Sequence, residues 1–262
     1  MTMDEVVRAK LYWTDRGSHK IQRANLDGSK VQDLITTGLD YPFGIALDVP
    51  AGKMYWTDKI GHKIQRANLD GTEVEDLIHT RFFEPDSIAL DVTAGKMYWG
   101  DDYQENIQRS NLDGSEVEVL IDLGRNLRIA YGIALDVIAG KMYWIADAKY
   151  IQRANLDGTA VEDLVTTKYS MNASIALDVT AGKMYWTAGD RIQRANLDGT
   201  AVDDLVTTGL SGPEGIALDV TAGKMYWIDD SRYIQKANLD GTAVEDLIIT
   251  GLSKPEGIAI AY

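Results

Sequence analysis

Apolar residues in this chain come in short bursts, separated by polar turn words, and the bursts recur in a fixed order. Each unit carries four: "GIALDV" (Gly44 to Val49 and its copies), "KMYWTD", "KIQRAN" and "VEDLI". They are rich in Ile, Val, Tyr, Trp and Leu, and none sustains a helical period, so they predict strands. "TAG" before the second burst and "LDG" before the fourth supply glycines for tight turns. The Tyr-Trp pairs begin at Tyr12, Tyr55, Tyr98, Tyr143, Tyr185 and Tyr226, about 43 residues apart. A repeat of this length signals a β-propeller.

Adjacent residues of a strand point to opposite faces. Neighbouring Tyr and Trp in every unit therefore require both faces of the sheet to be covered, as they are when one blade lies between two others. The six Trp residues all sit in this word. The predicted fold is all-β: a six-bladed β-propeller of four-stranded antiparallel blades, one domain over residues 1–262. The chain starts at a second strand ("AKLYWTD") and stops on a first strand ("GIAIAY"). The C-terminal strand is therefore expected to join the N-terminal blade and close the ring, leaving no open edge between first and last blades.

Composition narrows the function classes. With no cysteine, disulfides, zinc thiolate sites and cysteine nucleophiles are ruled out. The net charge of -14 argues against nucleic acid as a partner. Most of the 40 acids belong to the repeated words, so the acidity is a property of the scaffold. No apolar run is long enough to span a membrane. The opening "MTMDEVVRAK" lacks a signal-peptide core. The compartment stays open, cytoplasmic or secreted with a signal removed, and a monomer is expected.

Paired acids on the fourth strand, such as Glu75-Asp76 and Glu162-Asp163, are expected to keep an exposed edge from pairing with other sheets. The recurring aspartates Asp48, Asp91, Asp136, Asp178 and Asp219 are expected to be buried partners of Arg23, Arg66, Arg109, Arg153, Arg194 and Lys236. Ala261 replaces the acid in the last copy, which would leave one base over. "YWIA" and "YWTA" drop the motif's aspartate at Ala146 and Ala188, and a hydrogen bond with it.

"YWTD", "IQRANLDG" and "GIALDV" together resemble the YWTD repeats of the low-density lipoprotein receptor class, across essentially the whole chain. The resemblance implies a six-bladed propeller without enzymatic activity, binding protein ligands across one end of the ring. The receptors' cysteine-rich flanking modules are missing here, so receptor function does not carry over. The near-uniform copies look like a free-standing bacterial or consensus-style propeller.

Comparison among the six copies locates a face of interest. The "VTAGK" and "NLDGT" turns barely change and share one end. The connections from fourth to first strand and from second to third differ in nearly every copy and share the other, upper end. Variable loops on a rigid scaffold carry specificity. Tyr41, Phe43, Arg81, Phe82, Phe83, Arg125, Arg128, Tyr131, Tyr169 and Met171 are therefore the candidate ligand-binding residues, of types enriched at binding hot spots. Alanine at Phe82, Phe83 or Tyr131 is expected to abolish binding without lowering stability. The partner class is a peptide, protein or glycan on the upper face, with no cofactor. Two alternatives compete: a regular scaffold without a ligand, and a calcium-dependent hydrolase or lyase. The second would use Asp86, Glu214 and Glu256 at the channel mouth as oxygen ligands. His19, His62 and His79 also belong to this end. The first two occupy equivalent positions, and two equivalent histidines fall short of a metal site.

Overall fold

The computed structural model describes residues 9–124, 130–166, 174–230 and 232–262. Six four-stranded antiparallel sheets form the ring, each ordered from axis to rim as the strands occur in the chain. Blade 2 is typical: Pro42–Asp48 innermost, then Lys53–Asp58, Lys63–Asn68 and Glu75–His79. Blade 1 is the exception in connectivity. Its inner strand is Pro255–Ala261, paired antiparallel with Lys10–Asp15, so the expected clasp closes the ring.

Apolar cores lie between blades. Trp56 belongs to one cluster with Tyr12 and Ile21 of the preceding blade, while Tyr55 reaches into the next with Met97 and Trp99. All six Trp are fully buried. Removing one such side chain costs about 3–5 kcal/mol, so the Tyr-Trp word is the main adhesive of the ring.

Polar relays finish most of the blades. The Trp56 indole donates to Gln65 Oε1 at 3.0 Å, and the Gln65 amide donates to Asp76 Oδ1 at 2.6 Å. Arg66 donates to Glu75 at 2.7 Å and to the Leu112 carbonyl of the next blade at 3.1 Å. The paired acids thus terminate relays as well as charging an edge. Blade 3 departs because Val119 stands where the other blades have Asp. Its Gln108 amide turns to Asn106 Oδ1 at 2.9 Å, and the buried Trp99 indole N–H has no partner; that of Trp144 in blade 4 has none either, although Gln152 there donates to Asp163.

The expected aspartate–arginine pairs do not form. Asp48 Oδ1 instead accepts from the Ala51 amide at 3.0 Å, capping the lower turn, and the copies at Asp91, Asp136, Asp178 and Asp219 do the same. Arginine reaches outward to the fourth strand and sideways to the next blade. No base is left over: Lys236 pairs with Glu245, and Arg23 donates to Gln32 and Leu69. Tyr262, the residue after Ala261, donates to the Leu218 carbonyl.

Candidate functional site at the upper mouth of the ring

A register shift in the inner strands builds the mouth. In blade 2, Pro42 faces Asp58 and Ile45 faces Trp56, so Phe43 and Gly44 share the single partner Thr57. Such bulges re-aim side chains. The same shift displays Glu256, Asp86 and Glu214, and a shorter one lies beside Tyr131. Outside blade 5, whose inner strand is described from Ile175, the inner strands therefore begin two residues earlier than the "GIALDV" word. Thr57 ties the bulges together: it accepts from the Gly44 amide at 2.8 Å and donates to the Asp86 carbonyl. Glycine is required where these backbones meet. A Cβ on Gly257 would lie 2.3 Å from the Phe43 carbonyl oxygen, and one on Gly44 2.8 Å from that of Asp86.

The fourth residue of YWTD holds the loops above. Asp58 is fully buried; its carboxylate accepts from the amides of Asp40 at 2.8 Å, Tyr41 at 2.7 Å and Gly61 at 2.9 Å. Asp15, Asp101 and Asp229 bind their own upper connections in the same way. One carboxylate thus joins two variable loops. Ala146 and Ala188 lack it, and the facing connections include residues 125–129 and 167–173, outside the described residues.

Within this frame, Tyr41 and Phe43 stack with centroids 6.2 Å apart. The Arg16 guanidinium lies 4.8 Å over the Tyr41 ring and pairs with Glu256. The Lys59 ammonium lies 5.5 Å from the Phe43 centroid and pairs with Asp86 and Asp102. Burial pushes the Glu256 carboxyl up to about 8, aided by the charge of Glu214 and opposed by Arg16. Asp86, without solvent exposure, is raised by burial and by the charge of Asp102, with Lys59 opposing. Burial also raises the Tyr131 hydroxyl, with Asp102 and Asp86 adding to it.

The remaining candidates separate into three groups. Phe82 is 61% exposed and stacks on Tyr103, itself 55% exposed, at 5.6 Å. Arg81 beside it is exposed. Phe83 is a correction: at 1% exposure it packs edge-on against Trp99, 6.0 Å away, as part of the core between blades 2 and 3. Its replacement by alanine would therefore cost stability. Arg125, Arg128, Tyr169 and Met171 lie outside the described residues.

His19 and His62 each hold a connection, donating from Nδ1 to the carbonyls of Asp40 at 2.9 Å and Phe83 at 2.6 Å. Of the three acids named for calcium, Asp86 and Glu256 face Lys59 and Arg16. Among the described residues, no group of three or more His, Asp or Glu is placed to hold a metal ion. Sequence reasoning missed Arg16, Lys59 and Asp102. Each directly follows its YWTD-type word and is set by the uniform second strand over the mouth. That shared position was the available signal.

The model of the family described as low-density lipoprotein receptor repeat class B matches residues 9–49 and 52–92. Residues 9–92 thus carry two repeats of this type, and all six blades of the propeller are built on the same words. A 30-residue stretch is 63% identical to the low-density lipoprotein receptor-related protein 4 of Homo sapiens, covering 12% of this chain and 2% of that protein. The Mus musculus protein of that name is 54% identical over 33 residues, 13% of this chain and 2% of its own length. The match thus spans a small fraction of these relatives. Among solved structures, a chain of a nidogen/laminin complex superposes with a TM-score of 0.87 at 23% identity, covering 97% of this chain and 98% of that one. TolB from Acinetobacter baumannii gives 0.74 at 16% identity, over 97% and 66%. At these identities the likeness speaks for the fold.

Proposed function

We propose that this propeller is a non-catalytic binding module that takes a protein partner on its upper face. The observation that carries the reading is the exposed Phe82–Tyr103 stack, on the same end as the aromatic, charged mouth at Tyr41, Phe43 and Tyr131. Aromatic rings that stay exposed on a rigid base lose little entropy on docking and are typical anchors. YWTD propellers commonly mediate protein interactions, and the nidogen relative is named in a complex with laminin. Arg81, with Arg125, Arg128, Tyr169 and Met171 outside the described residues, completes the proposed binding set, which centres on the first four blades.

The test is selection of a displayed random-peptide library against the full chain. Binders are expected to lose at least tenfold in affinity for Phe82→Ala/Tyr103→Ala. They should tolerate Ile138→Ser, a change in an exposed lower turn. Binders that ignore the first change and need Ile138 would place recognition on the wrong end and overturn the proposal.

A further inference from the structure

The mouth opens into an axial cavity of about 330 Å³, walled by the inner strands of all six blades. Its lining is glycine, serine and apolar side chains, with two charged exceptions, Glu214 and Glu256. No Lys, Arg or His among the described residues lines it. The immediate rim adds Asp86 and Asp102 against Arg16 and Lys59. Among the described residues, four acids thus face two bases, the negative excess being complete once Glu256 ionises at about 8, in a pit where low-dielectric walls concentrate the field.

A second observation is how the protein seats its own cations there. Arg16 lies between the Tyr41 ring and the Glu256 carboxylate. Lys59 lies between the Phe43 ring and the carboxylates of Asp86 and Asp102. An aromatic face opposed to an acid is the arrangement that binds a basic side chain. A third observation is the Ser87 hydroxyl on the cavity wall, which has no hydrogen-bond partner among the described residues and would be relieved by an incoming polar group.

We infer that the mouth receives a basic side chain, arginine or lysine, presented on a loop of the protein partner. The head group meets Glu214 and Glu256, and the aliphatic stem lies along Phe43. The inference rests on the upper-face reading above and adds the chemistry of its central contact. Acidic or purely apolar anchors would meet the excess of carboxylates and be disfavoured.

Three capped pentapeptides test it: Gly-Gly-Arg-Gly-Gly, and the same peptide with Lys or Glu at the centre. Each is titrated into the isotope-labelled full chain while the backbone amides of Gly44, Gly215 and Gly257 are followed by NMR. The Arg and Lys peptides are expected to shift these amides saturably, and the Glu peptide to leave them in place. Glu214→Gln should weaken the response at least fivefold, and Glu214→Gln/Glu256→Gln should abolish it. Both variants are checked for an unchanged spectrum at the lower turns. Shifts that do not saturate, an equal response to the Glu peptide, or indifference to Glu214→Gln would overturn the inference. The upper-face reading is judged separately: it stands if library-selected peptides still require Phe82 and Tyr103, whatever their charge, and falls if they do not.

Discussion

Replacing Asp58 with alanine removes a fully buried carboxylate that receives three backbone amides, from Asp40, Tyr41 and Gly61, at 2.7 to 2.9 Å. A hydrogen bond to a charged acceptor contributes about 1.5–3 kcal/mol, and a buried donor left alone costs about 1–3 kcal/mol. Three such bonds would sum to more than is expected, because water can follow into the space once the side chain is gone. We expect a loss of about 3 kcal/mol, in the range reserved for broken buried networks. For a domain of this size, that lowers the melting temperature by roughly 6–12 °C. Urea unfolding followed through the six buried Trp residues measures it directly. The milder change Asp58→Asn keeps one acceptor oxygen and should lose about half as much. A loss below about 1 kcal/mol for Asp58→Ala would refute the claim that this aspartate, rather than loop packing, holds the upper connections.

Other changes probe separate parts of the argument. Val119→Asp gives Gln108 the carboxylate that other blades have, freeing its oxygen for the Trp99 indole; a gain of about 1 kcal/mol and 2–4 °C in melting temperature is expected, and a loss would show that Gln108 does not turn back. Gly257→Ala places a methyl against the Phe43 carbonyl, with only backbone to yield; a destabilisation of about 1–3 kcal/mol is expected by urea unfolding, and a neutral result would mean that the inner bulges are soft. Glu256→Gln tests the buried acid through pH. The Glu256 carboxyl, raised from 4.5 to about 8 on folding, binds a proton in the folded state that the unfolded chain has released across that window. Its contribution therefore falls as pH rises from 4.5 to 8 and is constant above. Relative to wild type, Glu256→Gln should gain on the order of 3 kcal/mol between about pH 5 and about pH 8.5; parallel melting curves over that range would remove the premise of a buried, proton-holding Glu256.

The ring was legible in the sequence because its determinants are local and repeated. A Tyr-Trp pair specifies two buried faces, "LDG" specifies a turn, and the spacing of the copies counts the blades. The second and third strands match their words, Lys53–Asp58 and Lys63–Asn68, since each is a regular ladder. The inner strand does not: its start depends on a bulge two residues long, and a bulge depends on the approach of the next blade's backbone. Glycine at residues 44, 215 and 257 hinted at such an approach, but serine at 87 and 174 hid the pattern. The aspartate–arginine pairing failed for a related reason. Both residue types recur at the right interval, yet periodicity cannot say that one points down into a turn and the other sideways across an interface.

The mouth was harder to read because its side chains come from two register positions spread over different blades. Phe43, Asp86, Tyr131, Glu214 and Glu256 share the bulge position; Arg16, Lys59 and Asp102 share the residue after YWTD. Neither set is close in sequence, and each is chemically mixed, so it carries no motif. The strict scaffold is what makes such a mixture specific. Because every second strand ends at the same height, exchanging one residue after YWTD changes one spoke of the rim without moving the others. Lys59 can then reach across a blade boundary and pair with both Asp86 and Asp102. A chain that repeats one word six times gains a ring of six positions that vary independently, and here those positions give an acid-rich pit faced with aromatic rings.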